Sequence, residues 1–379
     1  MQAQVKLGRI AGISIGLHYS WFIIALLIAF SLADHFHVVN PGWSQAVLWF
    51  AAIVTAILFF LALLLHELAH SLVAKARGLR VREITLFALG GVSQIESEAP
   101  NAKSEFWIAI VGPITSVAIG VILLASAWLL GWRPRAEPAT PLLAVLLWLG
   151  YINIALAVFN MVPGYPLDGG RVLRAVIWWI TRSADRSTRL ASQIGQAVAL
   201  LIILLGLFQF FTQHGNFSGL WLAFIGWFLL DAARTTYAQA GLVSELRGHS
   251  VAEIMEHDCP TVEPYVSLQD LVDQYFLHSG LRAYVVVHNG QIVGLITPHE
   301  VKSVARERWP QTSVQAAMRR LDRLQTVSPE TPALKALELM GRGDINQLPV
   351  ISNGHLEGIF SRSHVVRFLQ AQAQFHGHS

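Results

Sequence analysis

The chain has 379 residues, of which 54% are hydrophobic and only 13% charged, where soluble domains carry about 25% charged residues. That balance excludes a protein that is soluble over its whole length. A net charge of +3 with no basic tract excludes a nucleic-acid partner, and a single cysteine, Cys259, excludes both a disulfide framework and a cysteine-rich zinc site.

The charge deficit is confined to the first two thirds. Up to about residue 237 the chain is a series of long apolar runs, and from about 245 it has ordinary soluble composition. We therefore expect a membrane domain over 1–240 and a soluble module over 245–372. A bilayer core takes about 20 apolar residues per helix. Segments 14–33, 47–65, 106–130, 142–159, 193–211 and 219–230 meet or approach that length, which predicts six spans. The first is expected to be retained rather than cleaved, because its apolar run exceeds a signal-peptide core.

Basic residues orient these spans. Lys6 and Arg9 precede the first. Lys75, Arg77, Arg80, Arg82 and Lys103 lie between the second and third, and Arg171, Arg174, Arg182, Arg186 and Arg189 between the fourth and fifth. The alternate loops hold only Arg133 and Arg135. Both termini and the C-terminal module are therefore expected in the cytosol.

The second span runs into His66-Glu67-Leu68-Ala69-His70. On a helix the two histidines stand one turn apart on one face, so both imidazoles reach one ion. Glu67, beside them, is placed to act as general base on a water. Imidazole and carboxylate ligands suit zinc, and ionisable groups at the end of an apolar helix are costly unless they do something. The helix is expected to continue to Ala76 or Arg77, with Gly78 as its stop.

Two histidines need a third ligand. The fourth span is followed by Asn160-Met161-Val162-Pro163-Gly164-Tyr165-Pro166-Leu167-Asp168-Gly169-Gly170. Prolines and glycines make this a poor helix, and irregular backbone at membrane depth is tolerated where it lines a cavity or is buried in protein. Asp168 falls on the same side of the membrane as His66 and His70. It reads as the third ligand, or else as the cap of a helix running from Arg171.

These paired motifs resemble the site-2 protease family of intramembrane metalloproteases, over about the first 240 residues. The resemblance implies that His66, His70 and Asp168 bind one zinc ion and that Glu67 activates water. It also implies that Asn160 helps to position substrate or stabilise the oxyanion. The alternative for Asn160 is a hydrogen bond between helices. Leu89-Gly90-Gly91-Val92-Ser93-Gln94 resembles the family's loop before the third span, a region that offers a strand edge to an extended substrate. Gly112-Pro113-Ile114-Thr115-Ser116 resembles its small-residue motif, which we read as close helix packing. His18 reads as interfacial rather than as a ligand.

The C-terminal module contains a repeat. Segments 283–297 and 347–361 match, with Asn289-Gly290 and Asn353-Gly354 as hairpin turns between apolar runs. Short helices at Val251 to Met255 and Val314 to Met318 open the two units. The pattern resembles tandem CBS domains, with repeats at about 251–306 and 314–372. That resemblance implies an adenine nucleotide between the repeats, with Glu300 as its acidic contact; His364 stands at the matching position of the second repeat. The alternative is a module that makes a homodimer. The tail from His376 reads as disordered.

Taken together, the sequence predicts a multi-pass α-helical membrane protein of six transmembrane helices with an α/β tandem CBS module. It reads as a zinc metalloendopeptidase in the lipid bilayer that cuts near the transmembrane segments of other membrane proteins. The rival is a CBS-regulated channel or transporter, which explains the spans but not His66, His70 and Asp168 together.

Overall fold

The computed structural model describes residues 4–88, 90–95, 98–134, 137–212, 217–257, 259–279, 283–289, 291–343, 345–352 and 355–376. The chain divides into two compact units, Met1–Ala240 and Gly241–Ser379.

The first unit opens with strands rather than a span. β1 (Val5–Ile10) and β2 (Ile13–Leu17) form a hairpin, closed by Ala11 at φ 51° and Gly12 at φ 80°, the backbone a two-residue hairpin turn demands. β2 then pairs in parallel with β3 (Val81–Phe87), Ser14 opposite Glu83 and Leu17 opposite Leu86. The expected first span at 14–33 is thus corrected at its start. Residues 13–17 are as apolar as the helix that follows, but they pair with β1 on one side and, some 70 residues further on, with β3 on the other. Helix α1 (Tyr19–Val39) begins where the His18 Nδ1 accepts from the Ser20 N–H, at 3.1 Å. His18 is therefore the helix cap.

Helix α2 (Gln45–Ala76) starts at Ser44, whose hydroxyl accepts from the Val47 N–H. It ends at Gly78, φ 83°, where the N–H groups of Gly78 and Leu79 bond the carbonyls of Lys75 and Ala74, the expected glycine stop. β3 returns antiparallel to β4 (Gly90–Ile95), giving a sheet in the order β1-β2-β3-β4 with β4 at one edge. Leu89, in the segment before β4, lies outside the described residues. Next come α3 (Ala102–Leu129), capped by Asn101, and α4 (Pro141–Asn160), capped by Thr140 with proline in its first turn. The short α5 (Asp168–Thr181), α6 (Ala184–Thr212) and α7 (Phe217–Leu246) complete the set.

Six helices are long and apolar enough to cross a membrane: α1, α2, α3, α4, α6 and the Phe217–Ala238 part of α7. The last exceeds the expected 219–230 at both ends. Phe22, Leu26, Phe50, Ile57, Leu201 and Phe208 are exposed on these helices, an apolar surface that belongs against hydrocarbon. Inside, Phe36, Leu48, Ala52 and Leu149 join α1, α2 and α4, while Leu17, Phe60, Leu63 and Leu86 join α2 to the sheet.

The second unit repeats one pattern twice. β5 (Thr261–Val262) lies parallel to β6 (Tyr284–His288), which turns into β7 (Gln291–Ile296). β8 (Arg319–Arg320), from the start of the second repeat, pairs with β7. In the second repeat β9 (Gln347–Ser352) turns into β10 (His355–Ser361), Val327 bridges to Val350 in parallel, and Glu256 of the first repeat bridges to Ile359. Each repeat thus lends backbone to the other's second strand. Gly290, Asn353 and Gly354 of the expected hairpin turns lie outside the described residues, as does the tail from Gly377 onward.

Candidate metal centre

Helix α2 presents His66 and His70 inward, 2% and 4% exposed, with their Nε2 atoms 3.1 Å apart. Asp168 reaches them from α5. Its Oδ2 stands 3.1 Å from His66 Nε2 and 3.2 Å from His70 Nε2. It is the first residue of α5, where the helix dipole favours an anion, and Leu167 precedes it without a side-chain cap. The alternative of Asp168 as a mere cap does not match this geometry.

The segment between α4 and α5 folds on itself to bring Asp168 there. The Val162 N–H bonds the Phe159 carbonyl and the Leu167 N–H bonds that of Gly164. A Cβ at Gly169 would lie 2.4 Å from the Met161 carbonyl, and one at Gly170 would lie 2.3 Å from the Gly164 carbonyl carbon. Backbone packs on backbone here, and any side chain at either position would push Asp168 out of register.

The outer ring nitrogens decide what the cluster can hold. His70 Nδ1 faces the Ile108 carbonyl oxygen at 2.5 Å; a carbonyl only accepts, so Nδ1 carries the proton. A neutral imidazole then has its lone pair on Nε2. His66 Nδ1 meets the Ser116 hydroxyl at 2.9 Å, and donation to it leaves the second lone pair directed the same way. Two imidazole lone pairs and a carboxylate oxygen converge in a buried site with no proton required between them. That arrangement suits a cation. Ligand atoms on a zinc tetrahedron with bonds of about 2.0–2.1 Å stand about 3.3 Å apart, close to the observed triangle. Gly112 of α3 supplies the remaining room: a Cβ there would lie 2.1 Å from His70 Nε2 and 2.7 Å from His66 Nε2. The donor set and this cradle fit zinc. Among the described residues this is the one cluster of three such side chains that could hold a metal.

Glu67 faces the sheet. Its Oε2 accepts from the Ser93 hydroxyl on β4 at 2.9 Å, and Ser93 accepts in turn from Ser71 at 3.1 Å. Asn160 is half-buried at the end of α4; its side chain makes no hydrogen bond to another described residue, and it is not part of the cluster. Glu300 lies in the second unit. Its carboxylate accepts from the N–H and hydroxyl of Thr297 and pairs with Arg319 at 3.1 Å. His364 Nδ1 donates to the Ile359 carbonyl at 3.0 Å.

Sequence reasoning named Gly112, Ser93 and Ser116 within motifs but not what they do. It missed the Ile108 carbonyl altogether. The close packing read from the motif at Gly112 is correct, and the surface it packs against is the histidine pair. The available signal was the spacing of Ile108, Gly112 and Ser116, which share one face of α3.

The family model described as peptidase family M50 matches residues 54–137 and 133–202, and that described as CBS domain matches 251–307 and 310–371. The putative zinc metalloprotease Rip3 of Mycobacterium tuberculosis is 34% identical over 372 residues, covering 97% of this chain and 93% of its own. The putative zinc metalloprotease sll0528 of Synechocystis is 28% identical, covering 98% of this chain and 97% of its own. Among solved structures, the site-2 protease from Methanocaldococcus jannaschii is 30% identical over 62% of this chain and 94% of its own, with a TM-score of 0.42.

The cradle at Gly112 gives a direct prediction. The purified protein should hold about one zinc per chain. Gly112→Ala should lower this to roughly a tenth, because the methyl group occupies the ligand triangle. Gly42→Ala, where nothing lies within 4 Å of the new Cβ, should keep the full content. Elemental analysis of both variants checks this, and undiminished zinc in Gly112→Ala would put the metal elsewhere.

Proposed function

The chain belongs to peptidase family M50, the site-2 protease family of zinc metalloproteases, and from that membership we propose that its membrane unit hydrolyses peptide bonds in or near the transmembrane segments of other proteins. The observation that carries the reading is the convergence of His66, His70 and Asp168 with Glu67 beside them. These three side chains are the proposed zinc ligands. Zinc, when bound, supplies a Lewis acid for the scissile carbonyl and for the attacking water. Glu67 takes the proton from that water and delivers it to the leaving amine. Ser93 fixes one oxygen of the Glu67 carboxylate and so leaves the other free for the proton. Asn160, at the end of α4, is proposed to hold the substrate backbone or the developing oxyanion once substrate is present.

The substrate is proposed to bind as an extended chain against β4. That strand is the last of its sheet and carries Ser93, the hydrogen-bond partner of Glu67. Main-chain pairing gives affinity without demanding one sequence, which suits a transmembrane segment unwound near its end. The excess of arginine and lysine before α1, between α2 and α3, and between α4 and α6 supports an orientation with both termini and the CBS pair in the cytosol.

The CBS pair is proposed as the regulatory element, responding to an adenine nucleotide. In the first repeat Glu300 already pairs with Arg319, so a ribose would compete with that guanidinium for the carboxylate. Calorimetry of the full chain with AMP should give binding that Glu300→Ala weakens. No heat at millimolar nucleotide would leave the pair as a homodimerisation or docking element.

For the protease itself, Glu67→Gln should keep zinc and fold while hydrolysis of a membrane substrate falls by about 10²-fold or more, since an amide takes no proton. Turnover within a few fold of wild type would remove Glu67 as the base.

A further inference from the structure

Four residues of α3, Glu105, Ile108, Gly112 and Ser116, share one helix face at spacings of three and four. Three of them meet the histidines of α2. The fourth, Glu105, is the sole acidic residue of α3, is 3% exposed, and turns instead to α5. Its Oε1 accepts from Arg171 Nε at 3.1 Å and lies 3.5 Å from Arg174 Nη1. Arg174, itself 6% exposed, donates further to Glu98 at 2.9 Å and to Thr188 of α6 at 2.8 Å. Burial pushes the neighbouring Tyr165 phenol up to about 12, so it stays neutral and the two arginines are balanced by Glu105 and Glu98. For Arg171, burial disfavours the cation, and the Glu105 carboxylate more than offsets this.

Such a network joins helices, and one reading is that it does only that. Its position along α5 points further. Arg171 follows Asp168 by one turn. The first turn of a helix lacks intrahelical partners for its N–H groups and frays, and no side chain caps α5 at Leu167. The nearest side-chain tie beyond Asp168 is therefore Arg171 to Glu105. We infer that Glu105 is a positioning residue for the metal centre: by gripping Arg171 and Arg174 it fixes the first turn of α5, so that the Asp168 carboxylate meets the two imidazoles. α3 then aligns both halves of the ligand set, with His66 and His70 registered by Ser116 and Ile108 and Asp168 by Glu105. The inference rests on Asp168 being a zinc ligand.

The test is a double-mutant cycle on zinc affinity, measured by chelator competition on the full chain in detergent. Glu105→Gln should weaken zinc by about 10- to 100-fold, the usual effect of losing an outer partner of a metal ligand. In an Asp168→Ala background the same substitution should weaken it no further, because its route to the metal is gone. A purely structural network would give the same loss in both backgrounds, and that additivity would overturn the inference, as would unchanged affinity in Glu105→Gln. Should Glu105→Gln not fold, Arg171→Lys, which keeps the charge but changes the grip, enters the same cycle and is judged by the same two outcomes. If Asp168→Ala alone leaves zinc affinity intact, the ligand assignment itself fails and the inference falls with it. A normal Asp168→Ala loss beside an inert Glu105→Gln removes Glu105 alone.

Discussion

Two imidazole nitrogens and a carboxylate oxygen are held 3.1–3.2 Å apart in a buried site, with lone pairs facing one another. With neither a proton nor a cation among them these three acceptors repel, and burial in a low dielectric makes the repulsion stronger. The rest of the membrane unit is organised to impose it. The i, i+4 spacing of α2 sets the two imidazoles on one face. The glycine-packed segment after α4 delivers Asp168 at a helix start. α3 lies between, with no side chain at Gly112 to fill the space.

Pro113, next to Gly112, belongs to the same design. Proline removes the N–H that would bond the Ala109 carbonyl and distorts the helix around it. That disturbance falls one residue from Ile108, whose carbonyl accepts from His70. The Ile108 carbonyl thus serves as a main-chain acceptor for the His70 ring, and a partner of this kind fixes both ring orientation and tautomer. The Glu67 carboxylate is held from the opposite side, by Ser93 of β4. Glu67 and the two imidazoles are thus oriented by different elements.

Much of this was legible in the sequence, because its strongest signals are local. The histidine spacing, the glycine stop at Gly78 and the six apolar runs each concern residues near one another in the chain. The β1–β2 hairpin was missed because Ile13 to Leu17 continue the hydropathy of α1, and of the two strands that flank them in the sheet only β1 is near in the chain. The same limit hid the roles of Ile108, Ser116 and Ser93. Serines and a main-chain carbonyl carry no chemical label, and their function comes from the side chain that arrives opposite them. Asp168 could be suspected from its neighbours, whereas its approach to within hydrogen-bonding distance of both imidazoles needed the fold of the glycine-packed segment. In the second unit the repeat was visible, but the exchange of backbone between repeats, Arg319 onto β7 and Glu256 onto β10, was not.

Two imidazoles and one carboxylate, from α2 and α5, are proposed as the protein ligands of a single zinc. X-ray absorption at the zinc edge of the purified full-length protein tests it most directly. The expected spectrum has a first shell of nitrogen and oxygen only, at about 2.0–2.1 Å, with the outer-shell scattering of two imidazole rings. Asp168→Ala should alter that shell and keep both rings. A sulfur scatterer, a count of three or more imidazoles, or a spectrum unchanged by Asp168→Ala would contradict it.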